Sequence, residues 1–396
     1  MIFINAKNFI RVLLVSCLGI TGHGLVACSE PLEYQDAQTL KSPTYVGFSN
    51  EAMGVLAKTD SANIFLSSAD GEGNIVHRLA PTYFPSIERL GNGFIAPDED
   101  SLVLFDASLN EIGRHDVAEL GVAVQTSSAH SSNHQAAAFS FNEGTAENQY
   151  RHRIVAATME NATSIVTNQL PLALTACDDG SIRWIEFLPD SGMEDALGPG
   201  KARIMRLTSA AEQREITIDW HFENRPGSAT ILHCSNENAY IDLGQDSGEI
   251  LKVTDSSKPE VMSILPPFAI ADRGRFDYVF EEDYVAFNSS GILTRINVPK
   301  GNLVYSHALE LNGDNPVSVT FDSDVAYIVV QPPNGAQDQS VYAIDLDDPT
   351  CISEKLELTG FDQTAYESRI ERQGGSYIVI DTFMSIDPDW TPMCSQ

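Results

Sequence analysis

The sequence predicts an all-β fold, a β-propeller of about seven four-stranded blades, and three observations carry that expectation. Short β-branched and aromatic runs alternate with Gly, Asn, Asp and Pro punctuation over nearly the whole body. No convincing long amphipathic helix interrupts them, and "TSAAEQREI" (208–216) offers a helical turn or two at most. A unit of strand, polar turn and second strand recurs. Its strand ends fall near Ser68, Asp106, Asn142, Phe187, Thr254, Asn297, Asp345 and Asp381, most of them about 36–48 residues apart. A period of about 40–50 residues with four strands suits a propeller, because one blade cannot bury both faces and must stack on its neighbours around an axis.

Taken in chain order, the first unit is a weak copy, "NIFLSSADGEGNIVHRL" (63–79). It is followed by "SLVLFDASLNEIGRHDV" (101–117) and by a second weak copy, "AAFSFNEGTAENQYRHRIV" (137–155). "GSIRWIEF" (180–187), "GEILKVTDSSKPEVMSI" (248–264), "GILTRINVPKGNLVYSHAL" (291–309) and "SVYAIDLDDPTCISEKLEL" (340–358) complete the series. Eight strand ends imply seven blades when the first and last segments share one. The one long gap holds "REITIDWHFENRPGSATILHC" (214–234), which reads as an extra strand pair or an insertion. Apolar strands ahead of several units are expected to line the channel: "GFIAPDEDS" (93–101), "LALTACDDGS" (172–181), "DYVAFNSSG" (283–291) and "VAYIVVQPPNG" (325–335). The pattern resembles propeller proteins over most of the chain, although no WD, kelch or tryptophan-docking signature is present. The alternative architecture is a pair of large β-sandwiches.

The first 27 residues have the layout of an export signal. Lys7 and Arg11 precede "VLLVSCLGI" (12–20), and no acid appears before Glu30. That apolar run has the length of a signal-peptide core and is too short for a membrane-spanning helix, which needs roughly 20 apolar residues. Leu25-Val26-Ala27-Cys28 then resembles the lipobox of bacterial lipoproteins. The resemblance implies that Cys28 receives a diacylglyceryl group and becomes the first residue after cleavage. With Ser29 rather than Asp next to it, it also implies a protein anchored through its N-terminal lipid in the outer membrane, facing the periplasm. "LVSC" at 14–17 fits the same four-residue pattern but leaves almost no apolar run ahead of it. Residues 1–27 are thus read as the signal peptide, 28–43 as the lipidated cysteine and a polar tether, and 44–396 as the propeller.

The formal net charge is −31, and loss of Lys7 and Arg11 with the leader makes it more negative still. Such a surface repels nucleic acid and anionic lipid head groups, which removes nucleic acid from the expected partners. It suits a cationic partner, a metal ion or a salty habitat. Beyond Cys28 the body carries Cys177, Cys234, Cys351 and Cys394. An even count in an exported chain suggests two disulfides, with three pairings open. The most local choice is Cys177–Cys234 with Cys351–Cys394, and the second of these would staple the C-terminal tail to the last repeat. Closing a loop of that size contributes roughly 4 kcal/mol in the chain-entropy model. No CxxC is present to suggest redox chemistry.

Three constellations are candidate sites. "AHSSNHQ" spaces His130 and His134 four apart, and in a loop the pair could clamp Zn²⁺ with His115 or Asp116 as a further ligand. The layout is similar to that of periplasmic zinc-chaperone propellers, whose His/Asp-rich loop this chain lacks. Asp70, Glu72 and Asn74 in "SSADGEGN", and Asp98 and Asp100 in "APDEDS", bring together oxygens of the kind Ca²⁺ takes, although neither stretch follows the EF-hand pattern. "RHR" (151–153) is the densest positive spot.

There is no GxSxG elbow and no Gly-rich phosphate loop. The expected function is therefore binding or scaffolding in the cell envelope, with an envelope protein as partner. The outer-membrane assembly lipoproteins are similar in size, anchor and propeller plan but carry Gly and Trp repeats that are missing here. One alternative is a metal-dependent, lactonase-like propeller hydrolase in which Asp178, Asp179, Asn288 and Asp322 converge on the axis. The other is a periplasmic metal-binding protein built on His130, His134 and a third ligand.

Overall fold

A computed structural model of the chain describes residues 43–52, 62–79, 86–98, 100–117, 124–146, 149–169, 171–190, 198–208, 210–222, 229–234, 238–242, 249–254, 260–263, 276–280, 282–288, 290–333, 339–359 and 377–394. Among these residues there is no helix, and the strands form seven four-stranded antiparallel sheets. Blade 1 contains β1 (Pro43–Ala52), β2 (Ala62–Ser68) and β3 (Gly73–Leu79). Blade 2 contains β4 (Glu88–Leu90), β5 (Gly93–Asp98), β6 (Ser101–Phe105) and β7 (Glu111–Asp116). Blade 3 contains β8 (Val124–His130), β9 (Ala137–Ala146), β10 (Gln149–Ala157) and β11 (Ala162–Thr167). Blade 4 contains β12 (Pro171–Ala176), β13 (Ser181–Pro189), β14 (Gly200–Thr208) and β15 (Gln213–Phe222). Blade 5 contains β16 (Thr230–Cys234), β17 (Ala239–Asp242), β18 (Glu249–Val253) and β19 (Glu260–Ser263). Blade 6 contains β20 (Phe276–Phe280), β21 (Asp283–Phe287), β22 (Ile292–Asn297) and β23 (Asn302–Ala308). Blade 7 contains β24 (Asn315–Asp322), β25 (Val325–Gln331), β26 (Ser340–Asp345) and β27 (Leu356–Glu357). The last strand, β28 (Tyr377–Ser385), returns to pair with β1 and completes blade 1 in the order β28-β1-β2-β3.

This is a seven-bladed β-propeller closed by sharing one blade between the two ends of the chain, as the eight strand ends imply. Apolar packing joins every neighbouring pair of blades. Phe48, Phe65, Phe94, Phe105, Tyr327 and Phe383 knit blades 7, 1 and 2 together. Leu104 and Phe139 join blades 2 and 3, and Ile154 and Trp184 join blades 3 and 4. Ile204 and Ile241 join blades 4 and 5, Tyr240 and Tyr284 blades 5 and 6, and Phe287 and Ile328 blades 6 and 7. Gly47 is required by this packing: a Cβ there would lie 2.0 Å from the ring of Phe65, its cross-strand partner.

Three sequence expectations about the strands are corrected. "REITIDWHFENRPGSATILHC" is not an insertion: it contains β15, the outer strand of blade 4, and β16, the inner strand of blade 5. The gap looked long because the repeat marks at Asn142 and Phe187 lie on the second strands of their blades, whereas those at Thr254 and Asn297 follow or end third strands. The segment 208–216 makes a hairpin turn, with Thr208 and Glu212 paired and Ala211 at φ 64°, instead of a helical turn. Of the four apolar strands expected to line the channel, only β12 does so. "GFIAPD", "DYVAF" and "VAYIVVQ" are the second strands β5, β21 and β25. Second strands are covered on both faces by the adjacent blades and so read as continuous apolar runs; β5, β21 and β25 are buried almost throughout. Inner strands face the channel on one side and carry the polar residues.

Both disulfides have the local pairing. Cys177–Cys234 links the ends of the inner strands of blades 4 and 5, and Cys351–Cys394 ties the tail to blade 7. Trp390 of that tail packs on Tyr45 and Tyr327, 5.5 and 5.8 Å between ring centres. Cys28, like the rest of residues 1–42, lies outside the described residues.

Candidate metal centre

The inner strands all begin their blades, so their C-terminal ends gather at one mouth of the channel. His130 ends β8 there, and a six-residue turn follows. Ser131 N–H donates to Ala136 O (2.9 Å) and His134 N–H to Ser131 O (2.9 Å), while the Ser131 hydroxyl accepts from Gln135 and Ala136 N–H. His134 takes a φ of 57°, which folds its ring back towards His130, the two ring centres lying 5.7 Å apart. The loop is held from both sides. Gly91 N–H of blade 2 donates to His134 O (2.7 Å), and Ser132 and Asn133 donate to Asp178 of blade 4.

Asp322 enters from across the mouth, at the end of β24 in blade 7. Its Oδ1 lies 3.2 Å from His134 Nε2 and 3.6 Å from His130 Nε2. The three donor atoms all fall within 4.8 Å of one another, and no other such His/Cys/Asp/Glu group occurs among the described residues. Tetrahedral Zn²⁺ with bonds near 2.0–2.1 Å sets its ligand atoms about 3.3 Å apart, close to the two distances to Asp322.

Second partners fix each ligand. His130 Nδ1 lies 2.7 Å from Glu88 Oε2, and Ser128 donates to Glu88 Oε1 at 2.5 Å. A carboxylate can only accept, so Nδ1 carries the proton and Nε2 is left as the free donor atom. That Nε2 is buried and has no hydrogen-bond partner. The pattern is that of a carboxylate–histidine–metal relay, in which an outer carboxylate sets the tautomer and orientation of a ligating imidazole. Tyr278 of blade 6 packs at a tilt against His130, 5.6 Å between ring centres, and its hydroxyl is likewise buried without a partner. Burial first, and then the charge of Asp322, push the Tyr278 hydroxyl pKa up.

Asp322 is held by Arg89 of β4, which is fully buried. Its Nε donates to both carboxylate oxygens at 2.8 Å, and its other nitrogens donate to Ser385 O and Ile386 O. Burial would raise the Asp322 carboxyl pKa, but His134, Arg89 and His130 outweigh it and hold it below the ordinary value. The centre therefore brings together two imidazole nitrogens, a carboxylate oxygen and a phenol.

The sequence expectations map onto this geometry unevenly. His130 and His134 meet as their spacing suggested. The third member of the cluster is Asp322, not His115 or Asp116: those lie on the outer strand β7, where His115 Nε2 bonds Thr158 O (2.9 Å) and Asp116 is exposed. Of the residues considered for an axial hydrolase site only Asp322 reaches the centre. Asp178 accepts from the His loop, Asp179 binds Ser181 and Arg206, and Asn288 caps its own turn. Asp70 is exposed in the β2–β3 turn, bonded by Ser68, and the Glu72 carbonyl accepts from the same hydroxyl at 3.1 Å. Asp98 pairs with Arg114 at 2.8 Å, and Asp100 is exposed. Among the described residues neither acidic turn forms a three-ligand group. At the positive spot 151–153, Glu143 pairs with both Arg151 and Arg153. Glu88, Arg89 and Tyr278 were not signalled in the sequence.

No protein-family model matches the chain, and no curated protein matches it. Solved structures show similarity at low identity. A protein of unknown function from Bacteroides caccae is 9% identical over 87% of this chain and 99% of its own, with a TM-score of 0.41. Apo AztD from Citrobacter koseri is 10% identical over 81% of this chain and 96% of its own, TM-score 0.41. The β-propeller domain of Cps50 (Swd1) from Myceliophteria thermophila is 9% identical over 78% and 89%, TM-score 0.44. At such values these likenesses carry no argument about function, and the fold rests on the chain's own sheets.

Proposed function

We propose that the protein is an exported, lipid-anchored propeller that binds a divalent transition metal, zinc by its donor set, at His130, His134 and Asp322. The observation that carries this reading is the orphaned Nε2 of His130. It is buried, oriented by Glu88 and set beside a second imidazole nitrogen and a carboxylate oxygen. Leaving such an atom unsatisfied costs roughly 1–3 kcal/mol, which a bound ion removes. Two imidazoles with carboxylate or phenolate oxygen favour Zn²⁺ over Ca²⁺, whose sites are all oxygen. The export signal and the Cys28 box support an envelope address, and two disulfides accord with an oxidising compartment.

Calorimetric titration of chelator-treated full-length protein with Zn²⁺ and Ca²⁺ tests the site. One Zn²⁺ per chain is expected, with Ca²⁺ binding at least a hundredfold weaker, and His130→Gln and His134→Gln should each abolish tight uptake. Equal uptake by the wild type and both variants would rule the site out. Labelling cells with palmitate tests the anchor: label should enter the wild type and be absent from Cys28→Ser.

A further inference from the structure

Behind the metal centre the channel widens into a cavity of 530 Å³ walled by residues of all seven inner strands. That is the size of a small-molecule site. Among the described residues no lysine or arginine lines it, whereas three carboxylates do: Glu88, Asp277 and Asp381. Glu88 is engaged by His130 and Ser128. Among the described residues the other two have no counter-charge. Asp277 on β20 lines the cavity with its side chain exposed to it, and its one side-chain partner among the described residues is a long contact from Tyr284 (3.4 Å). Oδ2 of Asp381 on β28 is enclosed and has no partner. Surrounding protein pushes the Asp277 carboxyl up to about 6 and that of Asp381 up to about 7, as expected for acids that lack a cation.

The placement of Asp381 is particular. Five inner strands pair with their second strands through a bulge that leaves one residue unpaired. In blades 3, 4, 5 and 7 that residue is Thr126, Leu172, Leu232 or Val317, and in blade 1 it is Asp381. A bulge re-aims a side chain, and only here does it carry an acid. Asp277 and Asp381 belong to blades 6 and 1, separated by blade 7, and with Glu88 they do not converge within ion-coordinating range. Separated acids suit separated positive charges. Phe276 and Phe321 line the same cavity, and aromatic faces suit methylene groups and cation–π contact.

We propose that this chamber binds a linear aliphatic polyamine, with ammonium groups on Asp381 and Asp277 and its methylene chain against the aromatic wall. Asp277 and Asp381 are not among the three clustered side chains His130, His134 and Asp322, and the proposal stands whether or not zinc binds. A chain of net charge −31 attracts polyamines loosely everywhere, so the readout is the saturable single-site component.

Titrating metal-free protein with spermidine in 0.15 M salt should give one site per chain. Asp381→Asn and Asp277→Asn should each weaken it tenfold or more while leaving Zn²⁺ uptake unchanged, and an uncharged diol of matching length should not bind. Asn keeps the shape and removes an uncompensated charge, so both variants are expected to fold, with circular dichroism as the check. Competition between spermidine and putrescine for the same saturable site provides a second measurement on the unaltered chain. Weak multi-site binding alone, or a single site indifferent to both substitutions, would overturn the proposal.

Discussion

At His130 the contact that matters most is the one to Glu88. It places the proton on Nδ1 and so presents Nε2 towards Asp322 and His134. Losing an outer-shell partner of this kind typically weakens metal binding 10–100-fold. Glu88→Ala should therefore fold and bind zinc 10–100-fold more weakly in the same titration. Arg89 acts in the opposite sense. It balances Asp322 when no ion is present, and its removal leaves a buried carboxylate uncompensated. Arg89→Met is expected to lose about 3 kcal/mol of stability in chelator. It should regain part of that on adding zinc, and it should show a larger zinc-induced rise in Tm than the wild type. The histidine pair was legible because both members lie in one loop. Asp322 was visible only as an acid at a turn, since nothing local pairs it with residues about 190 positions earlier. Arg89 and Asp322 are separated by 233 residues, and β4 is three residues long, too short to carry a periodic signal.

At the scale of the strand, polarity marks the channel. The most apolar strands are second strands clasped between blades, whereas the inner strands carry hydroxyls and acids into the cavity. Hydrophobicity alone therefore points to the wrong strand, and a reader of the sequence sees the blades more easily than the channel wall. The bulged inner strand β28 gives a stability prediction. Asp381 is raised to about 7 in the fold, whereas the unfolded chain titrates near 3.8. Its contribution is thus fully present below about pH 4 and lost as pH rises through 7. Urea unfolding should show Asp381→Asn more stable than the wild type by about 2 kcal/mol at pH 8, after allowance for water in the channel, and equal to it near pH 4. Asp277, raised to about 6, acts with the same sign.

For the whole molecule, closure of the ring is the controlling event. β28 joins the last segment of the chain to the first, and Phe383 on it is fully buried in the cluster that unites blades 7, 1 and 2. Phe383→Ala should cost about 3–5 kcal/mol by chemical denaturation. Removing the Cys351–Cys394 bond, which closes a loop of 43 residues, should cost about 4 kcal/mol and free the tail that seats Trp390. The seven-blade plan was legible from strand spacing and from the shared first and last blade. The phase of the repeat was not, because marks on second and third strands look alike in a sequence without a signature residue. The same closure brings Asp322 of blade 7 and Arg89 of blade 2 to the histidines of blade 3, so the metal centre exists only in the completed ring.

Zinc K-edge X-ray absorption on protein loaded with one equivalent of Zn²⁺ tests that centre most directly. A four-coordinate first shell near 2.0 Å with the outer-shell scattering of two imidazoles is expected for the wild type, and His134→Gln should fail to retain the equivalent. A shell of oxygen atoms without imidazole scattering, or failure of the wild type to retain the equivalent, would contradict it.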